Sequence, residues 1–122
     1  MAELAGLKLY RVDVAAGRGL KEGRVGDVVF HVLADDLGGP AFLSFAPSEV
    51  SLSAERAPGS PQNAFRGTVM DVLALPDRLR LVLDVGVVLV AEITREAAAS
   101  LDVAVGRSFW AAVKATAIRV YA

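Results

Sequence analysis

The chain has 122 residues, of which 54% are hydrophobic and 22% charged, with 13 basic against 14 acidic side chains and a formal net charge of −1. That length gives one compact domain or two very small ones. An evenly scattered, slightly acidic charge excludes a counterion-displacing basic face for nucleic acid, and the absence of cysteine excludes disulfides and thiolate metal sites. So much apolar surface on so short a chain calls for cover by a second copy or a partner, so a homo-oligomer is expected.

Taken in chain order, strand patterns dominate. Residues 7–12 (LKLYRV) open the series, a glycine-rich stretch at 17–23 reads as a turn, and 25–34 reads as the next strand. Asp35-Asp36-Leu37-Gly38-Gly39-Pro40 is a turn, because acidic side chains, two glycines and a proline favour little else. Residues 41–45 and 50–53 complete a first group. The stretch 54–61 (AERAPGSP) reads as a linker. Beyond it, strands are expected at 67–75, 79–85 and 87–94, with turns at 76–78 and at Gly86. Residues 95–101 (REAAASL) form the single helical stretch, too short for more than two turns. Residues 102–106 turn, and 108–121 supply one or two closing strands.

Each half thus offers four or five short strands, at the spacing of small barrels or sandwiches. The missing crossover helices argue against a parallel α/β sheet. The expected fold class is all-β, two OB-like small barrels with one short helix in the second. The expected division is 1–55, a degenerate half, and 56–122. In 87–93 (VVLVAEI) both faces are apolar, which predicts either a strand whose second face is covered by another subunit or the other half, or a central strand of one sandwich.

No catalytic constellation emerges, and no enzyme is expected. No glycine is followed by lysine, so there is no P-loop, and Gly17-Arg18-Gly19 lacks the third glycine of a dinucleotide turn. His31 is the only histidine and reads as a strand residue with one satisfied ring nitrogen. Asp35 and Asp36 read as turn formers, and no metal site is expected. The N-terminal residues lack a basic and long apolar leader, and the longest apolar stretch, 85–91, is far short of a bilayer span. A cytoplasmic protein without membrane insertion is the expectation.

Ser60-Pro61-Gln62-Asn63 leads into the strand beginning Gly67-Thr68-Val69. Ala91-Glu92-Ile93-Thr94 precedes the helical stretch, and Ala112-Val113-Lys114-Ala115-Thr116 closes the series. This ordered set resembles the Mop/TOBE repeat: a Ser-x-x-Asn segment before a Gly-x-Val strand, a strand ending in Ile-Thr before a short helix, and a strand ending in Lys before a small or hydroxyl residue. The resemblance covers about residues 50–122. Phe45-Ala46-Pro47-Ser48-Glu49-Val50-Ser51-Leu52-Ser53 resembles the segment that precedes the repeat in the C-terminal regulatory region of molybdate and tungstate transporter ATPases, though the Arg of that segment is lacking.

The resemblance implies a module that binds the oxyanion molybdate or tungstate, without a further cofactor. A tetrahedral dianion offers only acceptors, so its site must present donors. The positions implied are Ser60, Gln62, Asn63, Thr94, Lys114, Ala115 and Thr116. Ser60 and Thr94 would give hydroxyls, Thr94 standing just before a helix start that favours anions. Lys114 would give the compensating charge and Thr116 a nearby hydroxyl. Plainer roles exist for each: Thr94 as an N-cap, Ser60 as turn decoration, Lys114 snorkelling to solvent, and Asn63 pinning its loop by bonds to backbone.

Departures from the family pattern bear on affinity. Gln62 stands where the family often has Arg, Ala97 where it often has Ser, and Ala115 where a hydroxyl can follow the Lys. A charge-assisted bond contributes roughly 1.5–3 kcal/mol, so an uncharged Gln62 alone weakens binding about tenfold or more. The implied role is a regulatory or storage module accessory to a molybdate ABC transporter ATPase, with that ATPase's nucleotide-binding domain as partner. The alternative is a ligand-free structural dimerisation module of the same fold.

Overall fold

The computed structural model describes residues 2–4, 7–17, 19–34, 37–56 and 63–122. The chain is all-β with one short helix, and its strands form two curled sheets, each a half-barrel of OB-like type. The first contains β1 (Ala2–Leu4), β2 (Leu7–Val14), β3 (Leu20–Val25), β4 (Val28–Leu33) and β5 (Gly39–Ser44). The second contains β7 (Asn63–Ala74), β8 (Leu79–Asp84), β9 (Val88–Ile93) and β10 (Ser108–Val113), with helix α1 (Arg95–Leu101) between the last two.

The remaining strands cross over. β6 (Ser51–Ser53), which follows β5 in the chain, pairs with β10, whereas β11 (Arg119–Tyr121), which follows β10, pairs with β5. The orders are β11-β5-β2-β3-β4, with β1 beside β2, and β6-β10-β7-β8-β9. Each sheet therefore borrows its outer strand from the other half of the chain. The registers correspond: Ser51 opposes Ala112 as Arg119 opposes Ser44, and Arg66 opposes Trp110 as Arg11 opposes Phe42. The molecule is a structural repeat whose two copies exchange their last strands.

Short 3-10 turns make the exchange, Pro47–Glu49 between β5 and β6 and Ala115–Ala117 between β10 and β11. The first packs on β9 and the second on β4. This explains the doubly apolar strand at 87–93. β9 is an edge strand, not a central one, and Leu89, Val90 and Ala91 are all buried because the first half's turn covers it.

One continuous core runs through both halves, with Phe30, Leu43, Leu81, Leu83 and Phe109 essentially inaccessible. Two side chains latch one half to the other. The Tyr10 hydroxyl donates to the Val88 carbonyl at 2.8 Å. The buried Asn63 side chain accepts from the His31 N–H at 2.6 Å and donates to the His31 carbonyl at 2.9 Å. Asn63 thus satisfies an edge strand's outward backbone groups as a neighbouring strand would.

The sequence expectation differs from the structure over 17–34. Leu20–Val25 is a strand, with alternating exposed and buried residues, and it turns through Gly26-Asp27 into β4. Glycine at 23 is required inside that strand, because a Cβ there would lie 2.7 Å from Val12 Cγ2. Lys21, on the buried face, donates to the carbonyls of Gly17 and Leu37 and so ties two loops together. Asp35 and Asp36, read as turn formers, lie outside the described residues. Elsewhere β7 begins four residues before the expected start at Gly67, and 108–121 resolves into two strands.

Candidate oxyanion site

Thr94 ends β9 and opens α1. Its hydroxyl accepts the Ala97 N–H at 3.0 Å and its carbonyl accepts that of Ala98 at 3.1 Å, so it caps the helix. The N–H groups of Arg95 and Glu96 lie ahead of the helical ladder and are left without intrahelical acceptors. The Arg95 guanidinium turns back to the Leu75 carbonyl at 2.5 Å, and Glu96 places a carboxylate in the same first turn. Thr94 itself is exposed.

Lys114 follows β10 in an extended conformation, φ −71° and ψ 141°, and initiates the turn Ala115–Ala117. The Lys114 carbonyl accepts from Ala117 N–H at 2.9 Å, and the Ala115 carbonyl accepts from Ile118 N–H at 3.2 Å. The N–H groups of Ala115 and Thr116 precede the first bond of that turn. Lys114 and Thr116 are exposed and Ala115 is buried. Among the described residues the Lys114 amine takes part in no hydrogen bond or ion pair. One amine, one hydroxyl and two backbone N–H groups, with no carboxylate in the segment, make a donor-only turn.

Ser60 and Gln62 lie outside the described residues. Asn63 pairs with Val113, the residue before Lys114, so β7 begins beside the donor turn. Asn63 is 0% exposed and both ends of its amide are engaged with His31. Thr94 is not brought together with Lys114 by any described hydrogen bond. β9, which leads to Thr94, packs on Pro47–Glu49, while Ala115–Ala117 packs on β4.

Sequence reasoning missed two features that bear on the donor turn. His31 sits on β4 beneath it, held by its backbone, and its ring Nδ1 is buried without a hydrogen-bond partner. Nδ1 is thus not the satisfied ring nitrogen expected, and the hydrogen bonds to Asn63 run through the His31 main chain. The second is the turn's structural counterpart: Ala46 has φ −68° and ψ 137° and begins Pro47–Glu49 as Lys114 begins Ala115–Ala117. That counterpart offers no amine, loses one N–H to Pro47 and adds the Glu49 carboxylate. The correspondence is visible in the sequence once FAPSEV is set beside VKATAI.

No cluster of His, Asp or Glu suited to a metal ion occurs among the described residues, and no helix there is long and apolar enough to cross a membrane.

Two OB-like half-barrels with a donor turn at their seam make up a small β-barrel module. A family model described as the TOBE domain matches residues 59–120, just over half of the chain, and the chain belongs to that family. Its fold is similar to that of the cytoplasmic molybdate-binding protein ModG, solved in a PEG-grown crystal form with molybdate bound. The likeness has a TM-score of 0.87 at 16% identity, and covers 98% of this chain and 99% of that one. Comparison with curated protein sequences finds no match.

Proposed function

We propose that this protein is a cytoplasmic module that binds molybdate or tungstate, in a regulatory or storage role, and that it is no enzyme. The single observation carrying this reading is the donor-only turn Lys114–Thr116, present in a TOBE chain that shares its fold over its whole length with a molybdate-binding protein. The turn suits a tetrahedral dianion, which needs donors and a cation and is repelled by carboxylates. Lys114 supplies the charge, Thr116 a hydroxyl, and Ala115 and Thr116 backbone N–H groups. Ser60, Gln62 and Asn63 complete the proposed set.

Thr94 joins the site from a second copy of the chain. Within one chain its strand packs on Pro47–Glu49 while the Lys114 turn packs on β4, and no described hydrogen bond joins the two, which favours a contribution across copies. Exposed Leu20, Leu33, Met70, Leu73 and Val105 supply apolar surface for such contacts. In an assembly with the ATPase of a molybdate transporter, occupancy would bias the subunit arrangement that binds the ion more tightly.

Trp110 lies on β10 four residues before Lys114 and reports the site. Titration with molybdate gives a saturable fluorescence change at micromolar ligand, on the order of the affinities set by several charge-assisted bonds; sulfate gives a weaker one. Absence of any saturable molybdate response overturns the reading. The dimerisation module without ligand is favoured by one observation, the engagement of Thr94 and Asn63 in structural bonds. A Lys114→Ala variant separates the two, since only an ion-binding module loses affinity while keeping its oligomer size.

A further inference from the structure

The outer face of the first sheet carries a groove of about 580 Å³ that none of the candidate oxyanion residues lines. That size lies within the range of small-molecule sites. Arg11 and Asp13 of β2, Arg24 of β3, Pro40 and Phe42 of β5, and Ala122 line it. Strand register fixes this grouping. Arg11 opposes Phe42, and Asp13 opposes both Pro40 and Arg24. Alternation then puts all five side chains on one face.

Both arginines are uncommitted. Among the described residues neither takes part in a hydrogen bond, an ion pair or a ring contact, although Asp13 is the direct cross-strand neighbour of Arg24. Arg78 and Arg80 are engaged on Glu92, Arg95 on the Leu75 carbonyl and Arg107 on Asp102; Arg66 and Arg119 are also without such a partner, but neither lines this groove. Two open guanidinium forks in one concavity, beside a ring left 38% exposed, are an unpaired recognition surface.

The second half of the repeat supplies the control. There Arg66 opposes Trp110, the counterpart of Arg11 and Phe42, but the chain's own Arg56 lies over the indole at 5.6 Å. The equivalent ring is covered in one sheet and uncovered in the other.

We infer that the Arg11–Arg24–Phe42 groove binds a small organic anion: a flat ring to lie on Phe42, a carboxylate or phosphate head for the two guanidiniums, and a ring N–H for Asp13. Planar forks match either head bidentately, and an aromatic floor selects ring-bearing anions over inorganic ones. The groove is independent of the molybdate reading, and either stands without the other.

The test uses the full chain, with 4-aminobenzoate and phenyl phosphate as probes, inorganic phosphate for comparison, and two-dimensional amide NMR as the readout. The expected result is saturable shifts in β2, β3 and β5 at about 1 mM ring anion or below, and binding of inorganic phosphate about tenfold weaker. Arg11→Ala/Arg24→Ala, which removes no internal bond, weakens ring-anion binding about tenfold or more, while the Trp110 response to molybdate is unchanged. Equal binding by wild type and the double variant, inorganic phosphate binding as tightly as the ring anions, or shifts that follow protein dilution rather than ligand would each overturn the inference. The last outcome would make a second copy of the chain the occupant.

Discussion

Asn63 replaces a strand with a single side chain, and the energetics of the seam between the halves rest on it. Removing its amide leaves the His31 N–H and carbonyl buried and unpartnered. Each such group costs about 1–3 kcal/mol, so Asn63→Ala is expected to lose roughly 2–6 kcal/mol in urea unfolding. Tyr10 forms the other latch, and burial pushes its phenol up from 10.0 to about 12. Below pH 10 both folded and unfolded chains keep the proton. Between pH 10 and about 12 only the unfolded phenol ionises, so the folded chain loses stability, about 3 kcal/mol over that window. Tyr10→Phe is less stable by about 1 kcal/mol at neutral pH, for want of the bond to Val88. It lacks the alkaline loss, and the stability order of the two proteins reverses as pH approaches 12. At this scale the sequence spoke through chemistry but not through partners. The capacity of Asn63 to bond backbone was legible; that the backbone would be His31, across the molecule, was not.

Elements were legible where a local pattern sufficed. The helix at 95–101 follows from its Ala- and Glu-rich run and a threonine cap, and Thr94→Ala should cost about 1 kcal/mol while Thr94→Ser costs little. A larger loss of molybdate affinity than of stability in Thr94→Ala would separate a ligand role from the cap. β3 was hidden because its glycine answers to Val12 on the neighbouring strand, a contact no local window contains. The hairpin after β8 has the same logic in a turn. Gly86 has φ +109°, and a Cβ there would lie 2.9 Å from Val28 Cγ2 of the other half. Gly86→Ala is expected to lose about 1–3 kcal/mol by thermal unfolding, from backbone strain and a forced shift of Val28. The cross-strand Arg80–Glu92 pair, joined by Arg78, closes the opposite end of the same hairpin.

Viewed whole, the fold was legible as two small β-rich units, because turn signals recur at short intervals along both. Their exchange of strands was not. Pairing of β6 with β10, or of β11 with β5, depends on contacts between residues more than fifty positions apart, and three-residue strands carry too little pattern to name a mate. The same limit applies to the candidate site. Lys114 and Thr116 could be chosen from sequence order alone, but not the fact that their turn rests on the opposite half, nor the open arginines at 11 and 24. The apolar strand at 87–93 did foretell a cover, and the cover is the first half's 3-10 turn.

Because Arg119–Tyr121 forms the outer strand of the first sheet, that sheet stays one strand short until residue 121 has been synthesised. A nascent chain leaving the ribosome therefore carries an open β5 edge throughout translation of the second half. In crowded polysomes, the β11 strand of one completed molecule and the waiting β5 edge of a nascent neighbour are competing mates.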